Sequence, residues 1–236
     1  MPDITYAAAE GRMLRAYLAR PRGPGPWPGV VVIMDALGMS DDIRLQADRL
    51  AAAGYLAFAP DLYSGRGIRC VVATIAASRS GSGEAYGHIE AARRWLGDHE
   101  DCTGQIGIIG FCMGGGFALL SAPRYDFAAA SVNYGEVPKD AASRLAGCCP
   151  MVASFGKRDP ELPGRAQRLE QALSELDIAH DVKEYPDVGH AFMNRINVGP
   201  ALNPLMRLVR MNYHHPSAED SWQRILTFFD AHLRDA

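Results

Sequence analysis

The segment Gly107-Ile108-Ile109-Gly110-Phe111-Cys112-Met113-Gly114-Gly115 constrains this chain more than any other. Its apolar start reads as a buried strand, its flanking glycines as a sharp turn, and the residues from Met113 onward as a helix. Cys112 stands at the apex. An apex residue is held in a strained backbone, and side chains two positions to either side would strike the crossing strand and helix. Glycine at 110 and 114 meets both demands. The helix beginning at Met113 points N–H groups and its positive dipole end at the apex, which suits a thiolate and then an oxyanion. A structural cysteine in a glycine-rich turn is the competing reading, and the rest of the chain decides between them.

Strands and helices alternate around this segment. Residues 4–8 and 14–19 flank Glu10-Gly11 and read as an edge hairpin. Residues 23–28, Gly-Pro-Gly-Pro-Trp-Pro, read as a loop. Residues 29–34 form a β-branched apolar run of the kind buried on both faces. A helix is expected over 41–53 with Gly54 as its stop, then a strand over 55–59. Residues 61–83 are the least regular and read as loop and short helix over an active site. A helix over 83–96, a strand over 105–110 and a helix over 113–121 follow. Strands over 128–134, 150–155 and 180–185 come next, with a helix over 165–176 and an amphipathic closing helix over 218–233. Such alternation predicts a mostly parallel sheet with helices on both faces and active residues at the carboxyl ends of strands.

The 236 residues suit one α/β domain spanning 1–236, and 48% hydrophobic with 22% charged residues are ordinary for a globular enzyme. A net charge of −3 gives no reason to expect nucleic acid or an anionic membrane as partner. No apolar run reaches the roughly 20 residues of a membrane span. The start of the chain lacks the basic and apolar regions of a signal peptide, so a cytoplasmic setting is expected. The five cysteines are an odd number, which argues against a disulfide framework. Cys148-Cys149 reads as core entry, and Cys70 and Cys102 have no visible partner. His214-His215 is a poor metal pair, because adjacent residues do not face one site.

A thiol nucleophile needs a base, and the base needs an orienting carboxylate. Asp159, in Phe155-Gly156-Lys157-Arg158-Asp159-Pro160, follows one expected strand, and His190, in Tyr185-Pro186-Asp187-Val188-Gly189-His190, follows the next. Nucleophile, acid and histidine thus occur in the chain order of α/β-hydrolases. Each has a plainer reading, Asp159 as a turn opener before proline and His190 as a loop histidine. Three elements in order, each at its proper strand end, favour the chemical one.

At this point the chain resembles the dienelactone hydrolase family, α/β-hydrolases with a Cys-His-Asp triad. The likeness runs from about Gly29 to the closing helix. It includes Ala59-Pro60-Asp61-Leu62-Tyr63, residues 107–116, residues 156–159, Gly189-His190-Ala191-Phe192, and Trp222, Phe228, Phe229 and Leu233. The resemblance implies Cys112 as nucleophile, His190 as base and Asp159 as its orienter, with the N–H groups of Met113 and Ala36 at the oxyanion hole. It also implies a carboxylate touching the resting thiol. Asp35, in Met34-Asp35-Ala36-Leu37-Gly38, falls on that position but is one methylene shorter than the usual glutamate.

Substrate recognition departs from the family. The family's arginine four residues past the histidine is here Asn194, with Arg195 beside it, and Ala191 replaces a serine. Arg69 falls near another anion-binding position, with Arg66 and Arg79 as neighbouring substitutes. Arg69, Arg195 and Phe192 are therefore the expected substrate-binding residues. The implied activity is hydrolysis of a small ester or lactone by a monomer or homodimer, without metal or organic cofactor. The rivals are a thioesterase or acyl-transfer enzyme, and a non-catalytic ligand-binding protein on the same fold.

Overall fold

The computed structural model describes residues 3–8, 11–64, 67–160, 163–195 and 211–234. Glu10 of the expected hairpin turn and Arg66 lie outside the described residues. The strands are β1 (Asp3–Ala7), β2 (Met13–Ala19), β3 (Trp27–Ile33), β4 (Leu56–Pro60), β5 (Cys102–Phe111), β6 (Ala129–Asn133), β7 (Met151–Gly156) and β8 (His180–Tyr185). They form one eight-stranded sheet in the order β1-β2-β4-β3-β5-β6-β7-β8. The β1–β2 and β2–β4 pairs are antiparallel, and β4 through β8 run parallel. Central strands covered on both faces are mostly apolar, and Val30 to Ile33 are wholly buried. The outer strand β8 carries Asp181, Lys183 and Glu184, charges that blunt an edge against further pairing.

The helices are α1 (Asp41–Ala52), α2 (Ile68–Ser80), α3 (Glu84–Gly97), α4 (Met113–Ser121), α5 (Ala141–Arg144), α6 (Arg165–Glu175) and α7 (His215–Leu233). Strand alternation puts α3 and α7 on opposite faces. In β5, Ile106 abuts Gly97 of α3, and the next residue, Gly107, abuts Leu233 and Phe229 of α7. On the α7 face, α1 joins it through the Arg49–Glu219 ion pair, and Tyr55, between α1 and β4, through its hydrogen bond to Asp230. Among the described residues no helix is long and apolar enough to cross a membrane.

The short helix α5 has no counterpart in the sequence expectation, β5 starts at Cys102 rather than residue 105, and three further elements differ. β3 begins at Trp27 inside the Pro-rich stretch. The Trp27 N–H donates to Asp101 at 2.8 Å, and Pro28, which has no N–H to give, falls at a register shift. The 61–83 segment contains a regular thirteen-residue helix, α2, ended by Gly81 in the left-handed conformation. Only Thr74, Ala77 and Ser78 of it are buried, so its apolar pattern is weak. α7 starts at His215 rather than Ala218, because His214 caps it by accepting from the Ser217 N–H, with Pro216 in the first turn.

The α7 stripe of Trp222, Ile225, Phe229 and Leu233 is buried against the sheet. Phe229 is fully covered and meets the Tyr55 ring edge-on at 6.0 Å. Phe229→Ala is expected to cost about 3–5 kcal/mol, read from the urea midpoint at unchanged slope. A loss below about 1 kcal/mol would mean that α7 docks without this side chain.

Candidate active site

Strand register brings three loops to one place. Ile33 of β3 lies opposite Gly110 of β5, Phe111 opposite Asn133 of β6, and Gly156 of β7 opposite Tyr185 of β8. Cys112 follows β5, while Asp159 and His190 stand on the turns after β7 and β8.

Cys112 has φ +54° and ψ −116°, a conformation that costs a residue with a side chain roughly 1–3 kcal/mol. Its N–H donates to the Asn133 carbonyl at 3.0 Å, and its carbonyl accepts from Gly115 and Gly116 at 3.0 and 3.3 Å. A Cβ on Gly110 would collide with the Gly114 carbonyl, and one on Gly114 with the carbonyls of Ile33 and Met34. The turn is therefore packed main chain on main chain.

The Nδ1–H of His190 donates to Asp159 Oδ2 at 2.6 Å, and both side chains are almost fully buried. The two turns are also sewn together through backbone, Lys157 N–H to Tyr185 and Arg158 N–H to Val188, each at 2.9 Å. His190 Nε2 is buried without a partner at hydrogen-bond geometry, yet Cys112 is close enough to act on the ring. Burial alone would push the His190 imidazole down. The Asp159 hydrogen bond and the adjacent Cys112 outweigh it and raise the pKa to about 10. The ring is set to take and hold a proton.

Asp35 is buried in the loop after β3. Its Oδ1 accepts the Leu37 N–H at 2.8 Å, and its carbonyl accepts the Gly38 N–H at 3.1 Å. Burial pushes its pKa up to about 6, with Leu37 opposing, Asp42 adding and His190 opposing. Asp35 is thus within electrostatic reach of His190, while this hydrogen bond serves its own loop. Among the described residues, the N–H groups of Met113 and Ala36 donate to no protein acceptor. Each lies three residues past the Ile33–Gly110 pair.

The residues expected to bind substrate have other surroundings. Phe192 is fully buried between the rings of Tyr134 and Tyr185, at 5.5 and 5.1 Å. The Arg195 guanidinium stacks 4.4 Å over the Tyr213 ring. Arg69 and Arg79 are exposed at the two ends of α2. Asn194 is buried and engaged at both ends, its oxygen by the Tyr134 hydroxyl and its Nδ2 by Asp42.

Sequence reasoning missed that network. Asp42 Oδ1 also accepts the Arg195 N–H at 2.8 Å, and Gln46 reaches the Met193 carbonyl at 3.1 Å. Together they pin the chain beyond His190 to α1. Tyr134, itself at φ +40°, meets the His190 ring edge-on at 5.3 Å. The available signal was Asn133-Tyr134-Gly135 at a strand end, where a Cβ on Gly135 would strike Gly115. Asp42 gave none, since it reads as an ordinary acid in a helix's first turn.

The raised Asp35 pKa has a stability consequence. The folded protein binds this proton more tightly than the unfolded chain. That contribution is complete below the unfolded value of 3.8 and is lost as pH rises through about 6. Above that, wild type carries a buried charge. Asp35→Asn keeps an acceptor for Leu37 and never charges. Its stability relative to wild type is expected to improve by about 2–3 kcal/mol between pH 4 and pH 7.5 in urea titrations. A difference that does not change with pH would show that burial does not hold this carboxyl neutral.

Comparison with known proteins adds three findings. The model of the dienelactone hydrolase family matches residues 14–233. A protein of Escherichia coli K12 designated a candidate carboxymethylenebutenolidase is 31% identical over 96% of this chain and 85% of its own, and a counterpart in Yersinia pestis is 30% identical over 97% and 87%. A crystal structure of a candidate dienelactone hydrolase from Klebsiella pneumoniae superposes with a TM-score of 0.78 at 26% identity, covering 97% of both chains.

Proposed function

The chain belongs to the dienelactone hydrolase family, and from that premise we propose that it hydrolyses a small ester or lactone through an acyl-enzyme on Cys112. The observation that carries this reading is the buried His190–Asp159 hydrogen bond of 2.6 Å beside a cysteine held in a strained apex. His190 Nε2 takes the thiol proton, and the sulfur attacks the carbonyl carbon. The carbonyl oxygen gains the electron pair and is held by the Met113 and Ala36 N–H groups. Collapse of this intermediate expels the alkoxide, which takes the proton from His190 and leaves a thioester on Cys112. In a lactone the leaving group stays tethered to the acyl chain. Water, deprotonated by His190, then attacks the thioester. A second collapse releases the acid and restores the thiol. Asp159 keeps the ring in one tautomer and stabilises the imidazolium.

A thioesterase would use the same machinery, so the acyl group is the open variable. The exposed arginines of α2 and the stacked Arg195 give no support to a dedicated carboxylate clamp among the described residues. A ligand-binding protein would have no use for an imidazole raised to about 10 beside a strained cysteine.

Turnover of p-nitrophenyl acetate and of a panel of lactones and acyl thioesters tests the reading. Cys112→Ala is expected to lower kcat by at least about 10³-fold with an unchanged circular dichroism spectrum. Because a triad works as a unit, Cys112→Ala combined with His190→Ala is expected to be hardly slower than either alone. Near-wild-type turnover by Cys112→Ala, or fully multiplicative losses in the double variant, would overturn the assignment.

A further inference from the structure

Tyr63 stands three residues beyond the end of β4, outside the three loops that carry Cys112, Asp159 and His190. Its hydroxyl nevertheless reaches both residues whose N–H groups are proposed to form the oxyanion hole. It donates to the Ala36 carbonyl at 3.0 Å and touches the Met113 sulfur at 3.8 Å. The single O–H proton goes to the shorter, stronger acceptor. The Ala36 carbonyl and the Leu37 N–H belong to one peptide unit, and Asp35 Oδ1 takes that N–H at 2.8 Å. Both polar ends of this peptide are therefore fixed, and the preceding peptide, which carries the Ala36 N–H, is held in turn by the Gly38 N–H on the Asp35 carbonyl at 3.1 Å. Gly38, at φ +87°, lets the ring lie against the loop, since a Cβ there would stand 3.1 Å from Tyr63 Cδ2.

The tyrosine is itself braced from the opposite side. Asp61 Oδ1 accepts the N–H groups of Tyr63 and Ser64 at 3.0 and 2.9 Å. Its Oδ2 pairs with Arg15 of β2 at 3.0 Å, and the Arg15 N–H donates to Ser64 Oγ at 3.2 Å. Burial, reinforced by Asp35, Cys70 and Cys112, pushes the phenol pKa up to about 12, so the hydroxyl stays a donor across any working pH.

We propose that Tyr63 is a positioning residue that holds the oxyanion hole in shape, acting through the Ala36 main chain and the Met113 side chain and not on substrate. The proposal rests on the reading of Cys112 as nucleophile. It assigns to β2 and β4 a share in a reaction otherwise run from β3, β5, β7 and β8. A strut of this kind matters only where an oxyanion forms, which supplies the test.

Tyr63→Phe removes one oxygen and leaves the ring on Gly38. Two reactions of Cys112 are then compared. Acylation by p-nitrophenyl acetate builds an oxyanion, whereas alkylation by iodoacetamide displaces iodide from a saturated carbon and builds none. Loss of one oxyanion donor outright costs about 10²–10³-fold, and loosening one is expected to slow the acylation burst about tenfold. The alkylation rate and KM are expected to stay within about twofold, and the urea midpoint to hold. An unchanged acylation burst overturns the proposal. So does equal slowing of both reactions, which would mean general damage to the cysteine's surroundings. Cys112→Ala run in parallel separates the two levels: if that variant still hydrolyses the ester, the nucleophile assignment has failed and not the strut.

Discussion

Left to itself, the backbone of Cys112 would relax out of φ +54°. It is kept there because every neighbouring surface is already occupied by main chain. Gly114 lies on the Ile33 and Met34 carbonyls, Gly115 on the Asn133 carbonyl and Gly135, and Gly110 on the Gly114 carbonyl. The Asn133 side chain closes the ring by donating to the Gly110 carbonyl and to Ser131, both at 3.2 Å. A few kcal/mol of local strain is thus set against the whole parallel core, which yields only if the sheet comes apart. The sulfur projects from the turn because the backbone has no other way to go.

A second constraint is electrostatic. Asp35 and Asp42 both lie near the site, and water is kept from both. Asp42 has donors on several sides, from Asn194, Arg195 and Gln46. Asp35 has the Leu37 N–H. Burial therefore weighs on Asp35 and drives it toward the protonated form. Asp42 takes the structural part. It belongs to α1, which leaves directly from the loop carrying Ala36, and its other contacts lie on the chain just past His190. One helix end thereby fixes the spacing between the two loops that the proposed reaction would use.

The parts of the fold that were legible in the sequence are those with a periodic or steric signature. The apolar runs of β3, β5, β6 and β7 and the glycine-flanked turn at Cys112 are forced by burial and by clash, so their residues announce them. Asp159 and His190 were legible because chain order and strand ends located them. α2 was legible only as a short helix and not at its full thirteen residues, since a helix that buries only three of them leaves little pattern. Nor was the start of β3, where a proline masked a strand that tolerates it at a register shift. Asn194 read as a vacated ligand position, whereas its buried amide bridges Tyr134 and Asp42. Hydrogen bonds between residues far apart in sequence, such as Tyr63 with Ala36, carry no local signature at all.

The main-chain packing under Cys112 also bears on inheritance. A turn seated on carbonyls and glycine Cα atoms does not depend on which aliphatic side chain a neighbouring strand contributes. Core side chains can be exchanged, and surface loops rewritten, without disturbing a bend that rests on main chain. Lineages that share it are free to drift apart in composition without rebuilding the turn itself. The superposition on the Klebsiella pneumoniae structure at 26% identity is the kind of kinship such a seat permits.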